Sequence, residues 1–168
     1  MNGPAWGALA LAVVSLCAAC GAVTPPRSPT PSPLPLALLQ QRYMDAAAAY
    51  QAAEAPVAPA ESQYCDAASS SADLTACASA LSADRQATVA FDDAIRNLRV
   101  AAGAQAALMR LLGDDGRLET LLQQASTAPS MSSVSALTPQ IFELLIATAG
   151  DADALRRAIG LPPSSPTP

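Results

Sequence analysis

Fourteen acidic residues and no histidine limit the chemistry open to this chain. Without an imidazole there is no Ser-His-Asp triad and no histidine metal ligand. The Glu-x-x-His pairs of di-iron bundles are missing as well. Carboxylates are the remaining candidates: Asp92 with Asp93, Asp114 with Asp115, Asp151 with Asp153, and a solitary Asp84. Adjacent residues on a helix point about 100° apart, so Asp92 and Asp93 do not converge on one substrate. The "GDDG" run at residues 113–116 lacks the alternating oxygen ligands and closing glutamate of a calcium loop. Asp151 and Asp153 precede Arg156 and Arg157 at about the spacing of ordinary surface ion pairs. These residues predict no catalytic centre, no cofactor and no metal site.

The four cysteines carry more information. Ala5 to Leu16 is an apolar run the size of a signal-peptide core and too short to span a bilayer comfortably. Ala18 and Ala19 then precede Cys20 and Gly21, a pattern that resembles a bacterial lipobox, Leu-(Ala/Ser)-(Gly/Ala)-Cys. Cys17 stands where leucine is usual. The small residues suit the narrow pocket of a signal peptidase, and the exposed thiol would accept a diacylglycerol. Residues 1–19 therefore read as a lipoprotein signal peptide and Cys20 as the lipidation site. An ordinary secretory signal cut near Ala22 and an uncleaved anchor are the alternatives. Segment 20–33 carries prolines at 25, 26, 29, 31 and 33. Its stretch from Gly21 favours an extended spacer of about 40 Å.

In the oxidising compartment that export implies, Cys65 and Cys77 are expected to pair. The loop they close is worth on the order of 3 kcal/mol by chain entropy. The alternative leaves Cys77 as a small buried hydrophobe and Cys65 free.

Composition narrows the partners. The formal net charge is −5, all nine basic residues are arginine, and no arginine stripe offers the surface nucleic acid requires. The hydrophobic fraction is 51%, but 40 alanines contribute to it and aromatics are only 4%. Alanine and leucine in such proportion suit helices packed close together.

Helical periodicity supplies the elements that must position these groups. A first stripe runs Leu36, Leu39, Tyr43, Ala46, Tyr50, Ala53 and is expected to stop before Pro56 and Pro59. Ser70 and Asp73 have capping-box spacing ahead of a second stripe: Leu74, Cys77, Leu81, Thr88, Phe91, Ile95, Leu98. Asp84 falls within that stripe. It reads as an aspartate at the drifting edge facing water, with an inward functional carboxylate as the alternative. The chain is expected to turn near Gly103 before a third stripe of Leu108, Leu111, Leu118, Leu122 and Ala125. The spacing stays in phase across "GDDG", which predicts a continuous but weakened helix. A serine-rich loop should follow, with Thr138 as N-cap and Pro139 as the first helical residue. The last stripe carries Ile141, Leu144, Leu145, Thr148, Leu155 and Ile159, and ends at Gly160. The expected fold is all-α: an up-down-up-down four-helix bundle over 34–160, with a disordered tail at 161–168.

The lipobox, the proline-rich tether, "QQRYMDAAAAY", "CASALSADRQATVAFDDAIRNL" and the terminal "ALRRAIGLPP" together carry a wider likeness. In them the chain resembles a diffuse group of uncharacterised small helical lipoproteins of high-GC bacteria, mostly actinobacteria. Members often carry proline between the second and third helices, where this chain has Gly103. The resemblance implies the bundle fold and a lipid anchor on the extracytoplasmic face of the membrane, and brings no catalytic motif. The functional expectation is a non-catalytic module that binds an envelope protein. The alternative is a carrier or sensor of a small apolar ligand. An exposed apolar patch favours the first and an enclosed cavity the second.

Overall fold

A computed structural model describes residues 32–164. The signal peptide at 1–19, Cys20, most of the 20–33 spacer and the last four residues of the tail lie outside the described residues. Five helices follow one another: α1 Leu36–Glu54, α2 Val57–Tyr64, α3 Leu74–Arg96, α4 Ala102–Ser126 and α5 Met131–Ala158. The four long ones, α1, α3, α4 and α5, make the expected up-down-up-down bundle. None of the described helices is long and apolar enough to cross a membrane.

The short α2 is a correction to the expected loop. Pro56 is its N-cap and Pro59 lies in its first turn. A missing N–H there costs nothing, because first-turn N–H groups have no helical acceptor. Val57 is buried and anchors this helix. A Cys65–Cys77 disulfide then ties the end of α2 to the first turn of α3, with Cα atoms 4.9 Å apart. Asp73, not Ser70, caps α3: its carboxylate accepts from the Ala76 N–H at 2.9 Å.

Three further boundaries differ from expectation. The α3–α4 turn is made by residues 97–101, where Leu98 and Val100 are buried, so Gly103 lies inside the first turn of α4. The α5 helix starts at Met131 rather than Pro139, because Ser130 caps it by accepting from the Ser133 N–H. Pro139 is therefore internal, and Ser135 O loses its usual helical donor. The "GDDG" run stays helical throughout, as its phase predicts. Gly160 ends the last helix at φ 75°, with Gly160 N donating to Arg157 O and Leu161 N to Arg156 O. These two bonds satisfy orphan carbonyls at the helix end, and the left-handed φ favours glycine. Leu161–Ser164, expected to be disordered, turn back instead. Arg156 Nε donates to Pro162 O at 2.7 Å, and the Ser164 N–H to Asp153 Oδ1 at 2.8 Å.

Two apolar clusters hold the bundle. One joins Leu39 and Tyr43 of α1 with Ile95, Leu108, Leu111 and Leu155. The other joins Cys77 and Leu81 with Leu118, Leu122, Val134 and Ile141. On α3 the residues between them in sequence are Asp84, Thr88 and Asp92, and on α4 Asp115, all buried. A polar layer thus interrupts the leucine core.

Candidate functional site

The polar layer is built by helical phase. On α3, Leu81, Asp84, Thr88, Asp92 and Ile95 recur every three or four residues, so the aspartates occupy core positions. On α4 the run Leu111, Asp115, Leu118 does the same. Asp84 is only 3% exposed, which corrects the expectation that it faces water at the edge of the stripe. The neighbours α1 and α2 cover it: Glu54 and Glu61 both act on its carboxyl. Thr88 Oγ1 donates to Asp84 Oδ1 across a long 3.5 Å.

Each adjacent pair from the sequence splits. Asp92 is buried while Asp93 is exposed and pairs with Arg96 at 2.7 Å. Asp115 is buried while Asp114 pairs with Arg117 at 3.1 Å. Asp151 meets Arg110 of α4 at 3.4 Å, and Asp153 takes Ser164, so neither makes the expected pair with Arg156 or Arg157. The convergence that does occur crosses between helices: Asp92 of α3 faces Asp115 of α4.

Burial and mutual repulsion raise these acids. Desolvation, then the Asp92 carboxyl, pushes Asp115 up to about 8, while desolvation lifts Asp92 to about 6. Glu54 and Glu61 rise to about 7, each by desolvation first and by Asp84 second. Asp84 is raised by desolvation too. Among the described residues, neither oxygen of Asp92, nor Oδ2 of Asp115, has a hydrogen-bond donor. Arg96 approaches Asp92 Oδ2 from the exposed side at 3.5 Å as an ion pair. One proton held between the two carboxyls supplies the missing donor, as in any close carboxyl pair. Among the described residues no three ligand side chains converge as a metal would need.

Two grooves flank this layer. The larger, about 750 Å³, runs between the α2–α3 connection and the first half of α5, lined by Glu61, Cys65, Leu81, Ile141, Phe142 and Leu145. Ser135 and Pro139 also line it. The smaller, about 230 Å³, lies between α1 and α5, with Tyr43, Tyr50, Phe91, Asp115 and Arg156 in its walls. Leu145 borders both. Phe142 and Ile146 project from α5 at 63% and 60% exposure. Phe142 and Leu145 line the larger groove, and Ile146 lies one turn beyond Phe142 on α5.

Sequence reasoning missed Tyr50, Glu54, Glu61 and Asp115 as members of one layer. One signal was present: Leu111 and Leu118 are seven residues apart, and Asp115 fills the core slot between them. Comparison of the chain with protein-family models, curated proteins and solved structures gives no match.

Proposed function

We propose that this protein is a cell-envelope lipoprotein, anchored through Cys20 on the extracytoplasmic face of the membrane, whose non-catalytic helical domain binds a partner protein. The observation that carries this reading is the α5 strip of Phe142, Leu145 and Ile146 beside an open groove of about 750 Å³. Single exposed apolar residues need no explanation, but three together on one stretch of helix, two of them lining a groove, do. Glu61 lines the same groove and gives it one acidic group. A partner helix with an apolar face and one arginine or lysine matches both features, in the helix-in-groove mode. The opening favours a protein over a carried small molecule, since small-ligand sites usually bury most of their ligand.

The expected tether fits the same reading. A lipid anchor with a spacer of about 40 Å confines the domain to one surface and raises its effective concentration toward other tethered proteins. Weak binders gain most from that.

The test places a photoreactive side chain at position 142 of the full, membrane-retained chain, with a matching probe at the exposed Gln86 as control. The expected result is one crosslinked product from position 142, absent from the control and lost on Leu145→Asp, whose partner peptide is a helical segment with a basic residue. Identical products from both positions, or none from either, overturn the binding reading. An extracted apolar small molecule bound in the groove instead establishes the carrier alternative.

A further inference from the structure

We infer that α2 is a pH-sensitive strap: it closes on α3 while the carboxyls of Glu54, Glu61 and Asp84 hold protons, and their ionisation unlatches it and removes one wall of the larger groove. The inference concerns α2 itself and does not rest on the partner reading.

Apolar contacts hold this strap only thinly. Val57 is its one buried residue, and Tyr64 at its far end is half-buried against the second apolar cluster. Pro56 begins it without a side-chain cap. Eight residues are too few for a helix to persist on propensity alone, so α2 stays helical only while it packs on α3. Its C-terminal end is fixed. The Cys65–Cys77 disulfide follows it directly, Tyr64 O accepts from the Asp73 N–H at 3.1 Å, and Gln63 O accepts from Ser71 Oγ at 3.3 Å. Release therefore starts from the Pro56 end, with the disulfide as its pivot.

Between those ends the contact is acidic. Glu61 of α2 acts on Asp84 of α3, and Glu54 meets the same carboxyl from the last residue of α1. Among the described residues, Glu54 Oε1 and Glu61 Oε1 are both sealed from solvent without a hydrogen-bond partner. Thr88 Oγ1 reaches Asp84 only at 3.5 Å. The remaining groups that face the three bring no cation. From α1 there is Tyr50, which burial and then Glu54, Asp84 and Asp115 keep protonated. Asp66, in the α2–α3 connection, shares the larger groove with Glu61. No ionisable group of α5 acts on the three, and among the described residues every arginine ion pair lies elsewhere. Their joint burial is tolerable only with protons present: one shared between Glu54 and Asp84, another on Glu61.

The sign of the pH effect follows. Desolvation first, and Asp84 second, raise Glu54 and Glu61 to about 7 from the ordinary 4.5. The closed form holds a proton that an open, hydrated Glu61 has lost. Closure is therefore strongest below about pH 4.5 and weakens as pH rises to about 7. Each proton released raises the opening constant by at most about tenfold per pH unit in that window. Water in the groove screens Glu61, so about tenfold in all is expected between pH 5 and pH 8.

Amide hydrogen exchange of the full chain at pH 5, 6, 7 and 8, divided by the intrinsic rate at each pH, measures the opening constant. Peptides within 57–64 should lose protection about tenfold over this range. They should also exchange faster than the middle of α4 at every pH, as local opening requires. Glu61→Gln should hold the loss to about threefold or less, because Glu54 keeps the proton it shares with Asp84. Asp84→Asn removes the acid both glutamates face and should flatten the loss likewise. Asp66→Asn, at an exposed acid of the same connection, should retain the wild-type loss. Helical circular dichroism confirms folding of each variant. If Asp84→Asn does not fold, Glu61→Gln and the wild-type profile carry the test. Constant α2 protection from pH 5 to pH 8, protection equal to that of α4, an undiminished loss in Glu61→Gln, or a loss abolished by Asp66→Asn overturns the proposal.

Discussion

Replacing Asp115 with asparagine should stabilise the protein, by an amount that grows with pH. Asp115 carries its proton to about 8 in the folded chain, against 3.8 for an ordinary aspartate. The folded state thus holds a proton that the unfolded state has lost between about pH 4 and pH 8. Stability falls as pH rises across that window, by about 1.4 kcal/mol per unit for each extra proton held. Below it both states are protonated; above it both are ionised and the whole penalty applies. Undiminished, a shift of about 4 units amounts to about 6 kcal/mol. The carboxyl borders an open groove, where water screens it, so a value on the order of 2–4 kcal/mol is expected. Asparagine keeps the shape, donates an amide N–H toward Asp92 and does not titrate. It also removes the acid that Asp92 faces, which acts in the same direction. Urea unfolding of the full chain, followed by circular dichroism from pH 4 to pH 9, measures the difference. The variant should match wild type within about 1 kcal/mol at pH 4 and exceed it by the stated amount at pH 9. A difference that stays constant across this range refutes the reasoning.

Cys20→Ala should release the protein from membranes or stall it as a precursor, and intact-mass measurement should find acyl groups only on wild type. Thiol labelling of the denatured, unreduced chain should find neither Cys65 nor Cys77 free. Replacing both with alanine should cost about 3 kcal/mol, the constraint lost from a loop with separation 12. Leu118→Ala, at 1% exposure, should cost about 2–5 kcal/mol, whereas Phe142→Ala should change stability by less than about 0.5 kcal/mol and impair only partner crosslinking. Gly113→Ala should stabilise by about 0.5–1 kcal/mol, since its helical position leaves open space for a methyl group.

Local pattern settled the helices wherever the residues agreed with one another. The stripes of α1, α3 and α4 were readable because leucine and alanine recur at helical spacing, and Gly160 marked the last helix end because few other residues tolerate its φ of 75°. The disulfide was readable too, from two thiols left over in a chain expected to be exported. Prolines misled where context reversed their usual meaning. Pro59 sits in a first turn and breaks nothing, and Pro139 sits inside a helix that Ser130 had already started.

The buried acids needed tertiary structure. Burying a carboxyl is costly on its own, so any local reading sends Asp84 to water and passes over Asp115. Their positions along the helices were fixed by phase, but phase does not say which neighbours cover them. Asp92 and Asp115 are 23 residues apart, and they meet only because α3 and α4 pack in one particular register. That meeting lets two carboxyls share a proton, which makes the burial tolerable. The same holds for Asp84, which Glu54 meets from the end of α1 and Glu61 from a short helix that local signals did not reveal. Periodicity is a property of neighbours along one helix and survives in the sequence; proton sharing is a property of side chains on different helices, and arises only when those helices are packed.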